Sequence, residues 1–321
     1  METSGLLRER TTSPGEARTS PPRRRWSSQR RRDALAGYAF LVPWTIGLVA
    51  ITALPVLASL YLSFTDYSAG GTPRWVGLEN YIRMASDARF WSSLRVTLLY
   101  VFLSVPLLLA FALLLAVVLN RGLRLLPIYR SLYYLPSLLG GSVAIAVLWR
   151  RIFSTEGVVN SSLTIFGIEG PSWLADPAWA PLTLVILNVW TFGAPMVIFL
   201  AGLRQVPQEL YDAAAVDGAA ACRRFRHITL PQLSPVMLFN GVITMIGAFQ
   251  AFTGAYVISN GSGGPLDSTL FYTLYLYQTG FSYFDFGYAS ALAWVLLVII
   301  GAATGATFAM TKRRIFYGDE R

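Results

Sequence analysis

Residues 209–233 read ELYDAAAVDGAAACRRFRHITLPQL, a stretch with three acids, three arginines, and the only histidine and only cysteine of the chain. Such groups can bind metal, run a nucleophile–base relay or grip an oppositely charged partner. A zinc set or catalytic relay needs further ligands or a second base beside His227, and none exists. Cys222 has no second cysteine to pair with. A phosphate-cradling loop needs Gly-x-x-x-x-Gly-Lys-Ser/Thr. The sole lysine, Lys312, lies near the C-terminus and is followed by Arg313. The chain is therefore expected to hold no metal, no cofactor, no ATP site and no catalytic residue. Recognition remains. At 3.6 residues per turn, Glu209, Asp212, Ala213 and Val216 share one helix face. Small side chains admit a close surface there, and the carboxylates offer directional partners to arginine.

Local signals predict how this face is held. Pro207 suits a first helical turn, Glu209 and Asp212 suit the positive end of the dipole, and Ala213, Ala214 and Ala215 favour helix. Asp217 closes that helix, and Gly218 fits a left-handed position just past it. A second helix is expected from Ala219 to about His227, with Ala221, Phe225 and Ile228 on its apolar side and Arg223, Arg226 and His227 opposite. Pro231 should end it, with Leu230 biased away from helix. By these residues alone the pair fits two roles, a docking element or an amphipathic element lying on lipid.

The flanks are apolar. The 321 residues are 54% hydrophobic and 13% charged, against roughly 25% charged in soluble domains. Six windows, 34–63, 96–119, 131–149, 178–203, 233–258 and 286–310, contain no Asp, Glu, Lys or Arg and match the roughly 20 residues of a membrane-spanning helix. The net charge of +9 is unevenly placed. With the N-terminus inside, 20 of the 26 basic residues fall on the inner side, as the positive-inside rule requires. This speaks against a nucleic-acid footprint and predicts a multi-pass membrane protein with both termini cytoplasmic; 25 arginines against one lysine point to a bacterial source, and so to a bacterial inner membrane. Residues 1–33 read as a disordered basic tail, 34–321 as the membrane domain, and 204–231 as its polar inner loop. The uncharged segment 268–284, rich in Tyr and Thr, is expected as a helix on the outer face with rings at headgroup level. The glycines of FGAPMVIF and SNGSGGPLD read as packing and turn residues.

Polar and aromatic residues within the windows suggest a pathway for a hydroxyl-rich solute: Asn188 and Trp190 in the fourth, and Asn240, Thr244, Phe249, Gln250 and Phe252 in the fifth. The same amides and hydroxyls would equally serve as interhelical hydrogen bonds. A transporter driven by an ion gradient is the alternative. It would normally carry ionisable groups inside the membrane, and the windows have none.

The loop resembles the EAA loop of binding-protein-dependent ABC importer permeases through Asp212, Ala213, Ala214, Gly218, Ile228, Leu230 and Pro231, with Asp212 where that pattern has Glu. WVGLENYIRM, YLPSLLGGSVAIAVLWRRIF, IFLAGLRQVPQELYDAAAVDGA and YFDFGYASALAWVL look like successive motifs of the sugar-permease subfamily. The resemblance implies an all-α polytopic protein of the type I ABC importer permease fold, with six transmembrane helices and a cytoplasmic coupling helix. It implies two ATPase subunits, a second permease and an extracytoplasmic solute-binding protein as partners, a carbohydrate as substrate, and no enzymatic activity in this chain. By position, Glu209, Asp212, Ala213, Ala214, Asp217, Gly218, Leu230 and Pro231 would form the coupling site.

Overall fold

The computed structural model describes residues 26–120 and 125–311, with side chains from residue 33. Of the basic tail expected over 1–33, residues 1–25 lie outside the described residues, as do Arg121, Arg124 and Lys312; the backbone from Trp26 is helical. Two compact units divide the chain after Leu57.

The first unit contains α1 (Trp26–Gly47), a π-helical turn (Leu48–Ala53) and the start of α2 (Leu54–Ser63). The run Asp33–Ser63 has a mean hydropathy of 2.1, enough for a membrane span. The π turn precedes Pro55. Leu54 donates its N–H to Val49 O, five residues back. The wider register accommodates a proline that has no N–H and would crowd the carbonyl four residues earlier.

In the second unit a short antiparallel ribbon, β1 (Thr65–Asp66) with β2 (Arg74–Trp75), pairs Thr65 with Trp75. With an isolated bridge between Ser68 and Asp285, it is the departure from an all-α chain among the described residues. α3 (Glu79–Ser86) and α4 (Ala88–Leu119) follow, so the second span begins eight residues before the window that marks it. Asp87 explains the early start. Its Oδ1 accepts the N–H groups of Arg89 at 2.9 Å and Phe90 at 3.3 Å, an N-cap.

The third and fourth windows are not straight. α5 (Leu126–Leu139) and α6 (Val143–Ile152) meet at 97°, and α8 (Ala180–Trp190) and α9 (Gly193–Leu203) at 44°. Four spans that run on in one direction and two bent ones make six by length and composition. The 97° bend sits on Gly140 and Gly141, after which Ser142 Oγ accepts the N–H of Ile145 and starts α6. A Cβ on Gly140 would lie 2.2 Å from Thr191 Cγ2, so the two breaks touch. Gly193 is a packing glycine, as its sequence context suggested. A Cβ there would lie 2.1 Å from Tyr133 O.

α7 (Val158–Ile165) lies between the bent pairs. Beyond them come α10 (Gln208–Val216), α11 (Ala221–Arg224), a π turn (Phe225–Thr229), α12 (Leu230–Gln232), α13 (Ser234–Phe249) and α14 (Thr253–Ile258). The last elements are α15 (Tyr272–Tyr277), a third π turn (Gln278–Ser282) and α16 (Phe286–Thr311). α4 packs against α8, α9, α13 and α15. It passes through two apolar cores. One gathers Phe90, Trp149, Phe249, Tyr272 and Leu292; the other gathers Ala112, Ala116, Met196, Phe199 and Leu233. Lipid is as apolar as these side chains, so packing rather than transfer from water holds them. Fully buried Ala112 and Ala116 let the neighbouring helix approach.

The helix of segment 268–284 packs into the bundle through Tyr272 and Tyr275, which are buried, while Tyr277 is half-buried and Tyr283 is 60% exposed. Tyr272 donates its N–H to no carbonyl of its own helix but to Thr97 Oγ1 at 2.8 Å, and its hydroxyl to Leu292 O at 2.8 Å. Satisfying the phenol internally is what allows so large a ring to be buried. Tyr288 donates to Asp87 Oδ2 at 2.7 Å, and Tyr275 donates to the same oxygen. Burial alone would push the Asp87 carboxyl up. The hydrogen bonds from Tyr275, Tyr288 and the Phe90 and Arg89 N–H groups outweigh it and hold the carboxyl below its ordinary value. Arg83 adds an ion pair to Asp285 at 2.8 Å and sits over the Tyr288 ring. These contacts tie α3 and α4 to α15 and α16.

Candidate functional site

The polar loop forms α10 as its residues predict, with Pro207 just before the first turn and Glu209 inside it. Gly218 has φ +72° and closes the helix. Ala219 donates to Ala214 O at 2.9 Å and Gly218 to Ala215 O at 3.1 Å, the paired bonds of a Schellman cap. Nothing lies within 4 Å of a Cβ built on Gly218, so the backbone alone demands glycine. Glu209, Asp212, Ala213, Val216, Asp217 and Gly218 are exposed, and Val216 retains 89% of its surface. Ala214 is half-buried. Gln208 Nε2 donates to Asp212 Oδ1 at 3.1 Å, which steadies that carboxylate on the open face. On the inner side the hydroxyls of Tyr211 and Thr229 share a hydrogen bond at 2.9 Å, fastening α10 to the chain beyond α11. His227 Nδ1 meets Arg223 O at 3.0 Å, a local contact with no second histidine.

Pro231 does not end the second helix. The backbone runs from α11 through the π turn into α12, and Leu230 is helical at φ −62°. Leu230 donates to Phe225 O, five residues back, immediately before the proline. This repeats the Leu54–Pro55 arrangement: a π turn lets helix continue through Leu-Pro. Leu230 and Pro231 thus carry α10 and α11 rigidly into α13 and are half-buried, away from the acidic face.

A second feature lies where the helix breaks converge. A cavity of about 480 Å³ is lined by Gly140 and Gly141 from one break, Thr191 from another, and Gln250 and Phe252 from the gap between α13 and α14. Asn188 and Thr244 also line it, so four of the seven pathway residues come together. The Asn188 Nδ2 is buried with no hydrogen-bond partner. An unmet amide donor beside a cavity is costly unless a ligand or water meets it. The remaining three are placed elsewhere. Asn240 is 2% exposed and donates Nδ2 to Pro195 O at 3.2 Å, an interhelical tie. Trp190 packs on Trp149 with ring centroids 5.7 Å apart, and Phe249 is buried in the first core. Ser137, Gly140, Gly141 and Thr191 line the cavity without having been singled out. The Gly-Gly pair inside an apolar window was the available signal.

The arrangement is thus a bundle with broken spans around a polar cavity, and a rigid acidic helix on the loop between its fourth and fifth spans. Comparison with known proteins gives the family. The probable ABC transporter permease protein YesP of Bacillus subtilis is 50% identical, over 89% of this chain and 94% of its own. The lactose transport system permease protein LacF of Rhizobium radiobacter is 34% identical, over 90% and 98% respectively. In a crystal structure of a bacterial alginate ABC transporter in complex with alginate pentasaccharide-bound periplasmic protein, one chain superposes with a TM-score of 0.76 at 21% identity. It covers 90% of this chain and 98% of that one and supports the fold. Residues 81–315 match the sequence profile of the binding-protein-dependent transport system inner membrane component. The chain is a multi-pass membrane permease subunit and belongs to that family of ABC importer components.

Proposed function

We propose that this subunit forms half of the pathway of an ATP-driven carbohydrate importer, with a second permease completing it. Two ATPase subunits bind from the cytoplasm, where both termini lie, and a solute-binding protein delivers the sugar from outside. The exposed face of α10 carries the reading. Its carboxylates and small side chains are exposed, while the Schellman cap and the Tyr211–Thr229 bond make the helix a stiff lever. Through it the closing of the ATPases is transmitted to the breaks around the cavity. Glu209, Asp212, Ala213, Ala214, Asp217 and Gly218 act at the contact; Leu230 and Pro231 join the lever to the fifth span. Asn188, Thr244, Gln250 and Phe252 meet sugar hydroxyls and ring faces in the cavity.

A carbohydrate is favoured by the substrates named in the relatives' own descriptions, which include lactose and arabinooligosaccharides. Among the described residues no charged side chain lines the cavity, which suits a neutral solute. The gradient-driven alternative gains nothing from these observations. Co-purification tests the reading. An ATPase should accompany this chain from membranes and be lost when Asp212 and Gly218 are altered together. Retention of the ATPase by that double variant would refute the coupling site.

A further inference from the structure

One series of aromatic side chains leads away from the cavity. Phe252, which lines the cavity, has its ring centroid 5.3 Å from Tyr256 and 5.1 Å from Tyr277. Tyr277 stacks on Phe281 at 5.2 Å, and Phe281 meets Phe286 at 6.4 Å. The rings form an unbroken series from the cavity to the end of the bundle where α16 begins, and there Phe281 is 61% exposed.

Rings that mark a membrane boundary lie in a belt at one depth. These climb. Phe252 to Tyr256 and Tyr277 to Phe281 are each a step of four residues along helical backbone, roughly 6 Å of rise. Both helices start at the cavity, which Phe252 and Phe271 line, and the chain meets again past their ends, where Gln278 Nε2 donates to Gly261 O. Beyond α15 the chain reaches Arg89 through Tyr283 and Arg83 through Asp285. The hydroxyls of Tyr256 and Tyr277 also have no hydrogen-bond partner among the described residues. In contrast, those of Tyr272, Tyr275 and Tyr288 on the same end are all bonded within the protein.

We infer that Phe252, Tyr256, Tyr277, Phe281 and Phe286 form a stacking track along which sugar rings pass from the α15 end of the bundle to the cavity. This rests on the carbohydrate reading above. The C–H face of a pyranose packs on an aromatic ring, and consecutive rings with centroids 5.1–6.4 Å apart let a bound sugar move on without returning to bulk water. The two free phenols exchange hydrogen bonds with its hydroxyls during the passage. Such a track favours neutral sugars with an apolar face and gives length-tolerant passage to linear oligosaccharides.

The test uses the complete importer in proteoliposomes, with its ATPases, second permease and binding protein, and radiolabelled lactose, maltotriose and arabinotriose. The sugar taken up fastest serves as the probe. Phe281→Leu keeps apolar volume but removes the ring, and should lower maximal uptake by about three- to tenfold, the worth of one aromatic contact. Phe281→Trp should retain uptake, and Tyr277→Phe should fall between them. The binding-protein concentration that half-stimulates ATP hydrolysis should be unchanged in all three. Full uptake by Phe281→Leu would overturn the track and leave the carbohydrate reading standing. A raised binding-protein requirement would overturn it in favour of a docking patch. Failure of the unaltered importer to transport any of the three sugars would sink the carbohydrate reading, and the track with it.

Discussion

Two segments join successive spans without crossing the bundle themselves, and they have opposite fates. Residues 204–233 hold the densest mixture of charge between two spans, and their helix stands almost wholly exposed. Residues 259–285 carry Asp267 and Asp285 as their only charged groups, and their helix is sunk among α4 and α16. The first is restrained chiefly by backbone: a Schellman cap, a proline before its first turn and one hydroxyl contact. The second is restrained by side chains, with Tyr272, Tyr275 and Thr279 each bonded to an acceptor within the protein. A helix that must present a surface is fixed by its ends. A helix that must stay buried is fixed by bonding the phenols it buries most deeply, here Tyr272 and Tyr275.

Substitutions can break this contrast, and the largest effect is expected on the exposed helix. Gly218→Val places a β-branched residue at φ +72°, where even an ordinary side chain costs about 1–2 kcal/mol. Uptake should be abolished while membrane insertion and thermal stability of the bundle stay near those of the unaltered protein. Normal uptake would show that the turn is not needed for coupling.

Next comes Asp87→Ala, which removes the N-cap of α4 and the shared acceptor of Tyr275 and Tyr288. A loss of roughly 2–3 kcal/mol is expected, read as a lower melting temperature in detergent. The pH dependence has a defined sign. Because the folded carboxyl is held below its ordinary value, its contribution is complete above about pH 4 and is lost as pH falls through the lower folded value. Asp87→Ala should therefore narrow its deficit only in strong acid. A deficit that already narrows between pH 7 and pH 5 would contradict the hydrogen-bond account.

The smallest effects separate two asparagines. Asn240→Leu loses a tie to Pro195 O, worth about 0.6 kcal/mol in a membrane bundle, and should lower stability with modest effect on uptake. Asn188→Leu removes an unpartnered donor and should leave stability unchanged or slightly higher while uptake falls several-fold. The reverse pattern would exchange their roles.

Much of this was legible beforehand. A mid-membrane charge is expensive, so charge-free windows located all six spans. Pro207, the alanine run and Gly218 determined α10 almost to the residue, because caps and propensity act locally. Three features were not legible, each for a physical reason. The bends at Gly140–Gly141 and near Thr191 lie inside windows whose apolarity is continuous, and hydropathy does not register the direction of a helix axis. Pro231 read as a stop because the bias against helix before proline assumes an α register, which the π turn at Phe225–Thr229 changes. Tyr and Thr in 268–284 suit both a headgroup interface and a hydrogen-bonded core. Only the positions of Thr97, Leu292 and Asp87, far away in sequence, decide between them.

Val216, the apolar knob on the open face of α10, offers the most direct measurement of the central claim. Val216→Cys in a Cys222→Ser background, within the assembled importer, would be treated with a short bifunctional thiol reagent against single cysteines on the ATPase surface. The account predicts an ATPase-linked product and labelling by an impermeant maleimide in inside-out vesicles alone. Labelling from the exterior of intact cells, with no ATPase adduct, would contradict it.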